Sequence, residues 1–107
     1  MSRFDDFLHE VKTGAQRVAQ QEAAEFLDAV TKDAQAFLND LETDLKTWTQ
    51  QLASEQLSLT DFEFLVKSKK DLAQMVALKE AGLAAIRIDR VRNALIDLVI
   101  KAASKMI

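Results

Sequence analysis

Apolar side chains recur every eleven residues along this chain, and that spacing limits its fold more than any other feature. In the first half Phe4, Ala15, Phe26, Phe37 and Trp48 form one column, and Leu8, Ala19, Val30, Leu41 and Leu52 form a second. In the second half Phe62, Ala73, Ala84, Leu95 and Met106 form one column, and Val66, Ala77, Ile88 and Val99 another. Eleven residues make three turns at about 3.67 residues per turn, so each column runs nearly parallel to the axis of a straight helix. A strand, with its period of two, cannot align these positions. Composition points the same way: Pro, Cys and Tyr are absent, Gly occurs twice and Ala sixteen times, so the residues that turns and sheets draw on are missing. The expectation is an all-α fold in which residues 1–107 form a single domain.

One segment carries turn signals. Between Ala53 and Thr60 the chain reads Ser54-Glu55-Gln56-Leu57-Ser58-Leu59, and Thr60-Asp61-Phe62-Glu63 has the form of a capping box that opens a new helix. Gly14 and Gly82 stand alone in helical pattern and are expected inside helices. The prediction is a long antiparallel helical hairpin, with helices over about 4–53 and 60–106. The alternative is a three-helix bundle with a break at Gly82. If the chain reverses near residue 57, facing residues have numbers that add to about 114, because both helices rise equally per residue. The columns obey that rule, setting Leu41 near Ala73 and Phe37 near Ala77. Charges fit as well, with Glu10 facing Lys105, Arg17 facing Asp97, Glu22 facing Arg92, Glu25 facing Arg90, Asp28 facing Arg87 and Asp44 facing Lys70. Three like-charge pairs, Asp33 with Glu80, Glu42 with Asp71 and Lys46 with Lys67, oppose it.

The C-terminal stretch is apolar on a second face. Leu95, Leu98, Val99 and Ala102 serve the hairpin seam, whereas Ile96, Ile100, Ala103 and Ile107 form a stripe that two helices cannot cover. A second copy would bury it. The expected assembly is a coiled-coil-like homodimer forming a four-helix bundle about 70 Å long, with Ile96, Ile100, Ala103 and Ile107 as the self-association interface.

Few residues offer chemistry. Without Cys, and with His9 as the single histidine, thiol nucleophiles, disulfides and Cys/His zinc sites are excluded. Asp6 and His9 have a ligand-like spacing beside Asp5 and Glu10, but one His falls short of a di-iron bundle, so an acidic first helical turn is the reading. Glu22, Asp33, Asp44 and Glu55 repeat at eleven and are read as a row flanking the seam and facing the more basic second half. Lys67, Lys69 and Lys70, with Arg87, Arg90 and Arg92, are the basic clusters, read as paired or solvated. Phe26, Phe37 and Trp48 are read as core. No catalytic residue, cofactor or metal is expected.

The net charge of −3 gives no handle for phosphate backbones, so nucleic acid is not an expected partner. The N-terminal residues lack the pattern of a signal peptide, and a cytoplasmic location is expected. The functional expectation is a non-enzymatic helical protein acting by self-association and protein–protein interaction. The second reading is an amphipathic binder of lipid or granule surfaces: the chain resembles apolipoprotein-like, phasin-like and desiccation-protective helices in period alone.

Overall fold

The computed structural model describes residues 3–105. Among them the chain is all-α. Helices α1 (Arg3–Glu22), α2 (Leu27–Ala53), α3 (Leu59–Ser68), α4 (Val76–Glu80) and α5 (Ala85–Ser104) are joined by short connections that include 3₁₀ turns at Ala24–Phe26 and Lys70–Leu72.

The two uninterrupted helices expected over 4–53 and 60–106 are each divided. The first reverses direction at Ala23–Phe26, where Ala23 (φ −158°, ψ 57°) and Phe26 (φ −120°, ψ 33°) leave helical geometry. Neither Gly nor Pro is present there, so local preference does not end the helix. Burial does: α1 folds back on α2 and also packs along α5, giving α5 a neighbour for its second apolar stripe. Ile96 and Ala103, expected to meet a second copy, are buried inside one chain, and Ile100 is partly buried against the same core. Ile107 lies outside the described residues. The fold measures 42 Å along its longest axis, roughly the length of α2 alone, rather than the expected 70 Å.

The chain therefore runs as four legs, α1, α2, a broken third leg made of α3 and α4, and α5. Glu10 meets Lys105 at one end of the α1–α5 pair, and Arg87 meets Glu25 and the Glu22 carbonyl at the other, so these helices are antiparallel. Along α2 and the third leg, Trp48 packs edge-on against Phe62 (centroids 6.4 Å apart), Lys69 lies 4.0 Å from Asp44, and Asp33 meets Ala77 and Leu78. Residue numbers in these pairs add to 109–115: Glu10–Lys105 keeps the expected register, whereas along α2 and the third leg Trp48 meets Phe62 rather than Val66 and Asp33 rather than Phe37 lies opposite Ala77, an offset of about one turn. The charge partners shift slightly: Arg87 takes Glu25 rather than Asp28, Asp44 takes Lys69 rather than Lys70, and Arg92 turns to Asp89 rather than Glu22.

Helix ends follow local rules. Ser58, two residues before the expected cap, accepts a hydrogen bond from the Asp61 N–H (3.1 Å) and starts α3. Gly82, expected within a helix, instead ends α4 at φ 89°: its N–H donates to the Lys79 carbonyl and the Leu83 N–H to the Leu78 carbonyl, a Schellman motif stapled by buried Leu78 and Leu83. The same motif closes α2, with Gln56 N–H donating to the Gln51 carbonyl and Glu55 N–H to the Leu52 carbonyl, but here Glu55 occupies the left-handed position at φ 65°. Gly14 lies inside α1 as expected, where the missing Cβ makes room for the Leu98 side chain.

A left-handed residue with a Cβ is strained, whereas glycine is not. Glu55→Gly is expected to stabilise the fold by about 0.5–1 kcal/mol, and Gly82→Ala to destabilise it by about 1 kcal/mol although open space surrounds the new methyl. Chemical denaturation of the two variants checks both signs.

Candidate functional site

The third leg breaks between Lys69 and Met75, and the residues that hold the break come from the two legs beside it. Asp33 on α2 is buried, and its two carboxylate oxygens accept from the N–H groups of Ala77 and Leu78, each at 2.9 Å. These are the second and third residues of α4, the N–H groups that a helix's own N-cap side chain normally satisfies. The local N-cap is Met75, buried and left-handed at φ 58°, whose side chain has no oxygen to offer. Asp33 thus caps α4 from another helix.

On the other side of the break, Arg92 on α5 donates from Nε to the Ala73 carbonyl (2.8 Å), and its Nη1 meets Asp89. The backbone groups exposed by the kink thus receive one anionic acceptor from α2 and one cationic donor from α5. Lys70, Asp71, Ala73, Gln74, Lys79 and Arg92 line a shallow cleft of about 220 Å³ beside the kink. A longer open groove of about 710 Å³ runs along α1 and α5 above Gly14 and Leu98.

Other residues singled out by the sequence are dispersed. Asp5, Asp6 and His9 are exposed near the start of α1, and Glu10 pairs with Lys105. Among the described residues no group of three or more His, Cys, Asp or Glu side chains is placed to hold a metal ion. The carboxylate row divides by role: Asp33 caps α4, Asp44 approaches Lys69, and Glu22 offers its carbonyl to Arg87. Glu55 closes α2. Of the basic clusters, Lys67 pairs with Glu63 on its own helix, and that hydrogen bond and charge raise its ammonium above the usual value. Phe37 is buried, and Phe26 and Trp48 are partly buried.

The surface carries apolar side chains that the apolar columns do not contain. Phe64 on α3 is 72% exposed, and Leu72 and Val76 stand out from the same leg; Leu27 and Ile86 are exposed where α2 and α5 begin. Phe64 has a sequence signal. Residues two apart on a helix point in nearly opposite directions, so with Phe62 in the core Phe64 must face outward.

Asp33 and Arg92 are engaged in holding backbone at the kink, and the outside of the third leg carries exposed Phe64, Leu72 and Val76 together with the Lys67–Glu63 pair. No helix among the described residues is long and apolar enough to cross a membrane. Comparisons with protein-family models, with curated proteins and with solved structures find no match for this chain.

Removing the Asp33 carboxylate leaves two N–H groups of α4 without acceptors. Asp33→Ala is expected to cost about 2–3 kcal/mol in denaturant unfolding and to raise amide exchange selectively over Met75–Glu80. A loss under about 0.5 kcal/mol would contradict the capping role.

Proposed function

We propose that this chain is a non-enzymatic helical interaction protein that works by self-association, as a cytoplasmic homo-oligomer, through the outer face of its third leg. The observation that carries the reading is Phe64, a large aromatic side chain left 72% exposed on a short helix, with Leu72 and Val76 exposed farther along the same leg. Aromatic side chains dominate binding energy at protein interfaces because they bury much area for little lost rotamer freedom. The engagement of Asp33 and Arg92 in backbone hydrogen bonds agrees with this reading, since these groups support the leg that presents the apolar side chains.

Lipid binding needs amphipathic helices whose apolar faces are free. The apolar faces of α1, α2 and α5 are occupied by one another, which favours protein association over a lipid surface.

The test is absolute mass by light scattering across a concentration series, with helicity followed by circular dichroism. The parent chain is expected to associate reversibly, with Phe64→Ser weakening that association about tenfold or more at unchanged helicity. A mass series identical for the two proteins would refute the reading. Helicity that rises only on addition of anionic vesicles would replace it with lipid binding.

A further inference from the structure

The structure is a long hairpin folded in half. The pairs Glu10–Lys105 and Arg87–Glu25, at the two ends of the α1–α5 pairing, run antiparallel, as do Asp44–Lys69 and Trp48–Phe62 between α2 and the third leg. Both strands of that hairpin bend at one level, the first at Ala23–Phe26 and the second at Ala81–Ala84, and Arg87 ties the two bends together by reaching Glu22 and Glu25. Straightening both bends would leave the α1–α5 and α2–α3 pairings intact within one chain. The packing of α1 on α2, of α2 on α5 and of α5 on the third leg would come apart.

From this we infer that the chain forms a second closed state, a dimer in which two straightened hairpins lie antiparallel and each α1–α5 half packs on the other copy's α2–α3 half. The surfaces that opening uncovers are then buried again between copies, the condition for exchange of identical elements. The partner is a second copy of this chain, and the residues used are buried ones, so the inference goes beyond the surface association proposed above.

The first bend is suited to such an exchange. Glu22-Ala23-Ala24-Glu25-Phe26 contains neither Gly nor Pro, and the 3₁₀ turn has no side-chain cap. The helical Ala23 N–H to Ala19 carbonyl bond (2.8 Å) already continues into it, so restoring helical angles at Ala23 and Phe26 makes α1 and α2 one helix. The second bend relies on left-handed Gly82 and on extended Ala84 (ψ 143°), both residue types that adopt helical angles without steric obstacle. Arg87 is the closed-state latch. It donates to the Glu22 carbonyl, a group that needs an outside donor only while α1 ends there, since in a continuous helix the Phe26 N–H would serve it.

The experiment refolds the protein from guanidinium at high and at low protein concentration, then separates and weighs the products after equal dilution. Refolding at high concentration is expected to give a dimer that persists on dilution, because reversal requires unfolding. Arg87→Ala should raise the dimer fraction about fivefold, and Ala24→Gly, which weakens the continuous helix, should lower it several-fold.

Since the chain has no cysteine, introduced pairs report connectivity. Cysteines at Lys67 and Asp97, on the neighbouring faces of α3 and α5, joined by a short bismaleimide, should link within one chain in the monomer and between chains in the dimer. Cysteines at Glu10 and Lys105 should link within one chain in both. A dimer whose 67–97 link stays within one chain is a side-by-side dimer and overturns the exchange while leaving the surface reading standing. Monomer alone at every refolding concentration also overturns it. A persistent dimer insensitive to Phe64→Ser supports the exchange, and the surface reading then stands or falls on whether Phe64→Ser weakens the reversible association of the monomer.

Discussion

The carboxylate of Asp33 makes the third leg possible. A five-residue helix such as α4 gains too little from its own hydrogen bonds to form alone, because the first turn costs more conformational entropy than it returns. Its N–H groups would also be buried without acceptors, each at a cost of about 1–3 kcal/mol. Asp33 supplies both acceptors from a rigid position on α2, and the two bonds compensate for removing its charge from water. With α4 fixed, Met75 can hold its left-handed backbone and send its side chain into the core beside Leu78. Arg92 completes the arrangement by taking the Ala73 carbonyl on the other side. Two side chains of opposite charge, from different helices, thus hold a kink that no residue within the kink prefers.

Close packing of α1 on α5 is the second constraint, and it depends on small residues. Gly14, Ala15 and Ala19 lie on α1 and Ala23 just past its end, and the three alanines are buried. A Cβ at Gly14 would overlap the branched end of Leu98, so the glycine lets that side chain lie against the α1 backbone. Large side chains come mainly from the opposing surfaces, among them Phe37, Leu41 and Leu45 on α2 and Leu95 and Val99 on α5. Interdigitation of small against large fills the interior under α1.

Much of this was legible in the sequence. Val30, Leu41, Leu52, Phe62, Val66 and Leu95 are buried, α2 ends at the expected turn, and Gly14 sits within a helix. Glu10 and Lys105, nearly the whole chain apart, were matched by register alone and do meet. What escaped was where the helices stop. Ala23 and Ala24 are strong helix formers, and their bend is set by the benefit of covering Ile96 and Ala103 from inside the chain, a tertiary effect with no local mark. Asp33 looked like its counterparts Glu22 and Asp44 because all three share the eleven-residue spacing, and only its neighbour α4, invisible as a separate helix, sets it apart. At Gly82 the two readings of an isolated glycine, weak helix interior or left-handed stop, were both open, and the Leu78–Leu83 staple decides between them.

The stripe of Ile96, Ile100 and Ala103 shows why an apolar surface in excess of what a hairpin can bury does not by itself specify a dimer. The chain's own first helix covers that area, and a straightened dimer that covered it with a second copy would differ at the backbone angles of Ala23, Phe26, Gly82 and Ala84. Intramolecular closure avoids the loss of translational freedom that association carries, so at low concentration the folded-back form has the advantage. A straightened dimer would keep more helical hydrogen bonds at Ala23–Phe26 and would gain ground as concentration rises. Phe64 stands outside this competition. It lies on the face of α3 turned from the core, so a partner docking there would leave the balance between the folded and straightened hairpin untouched.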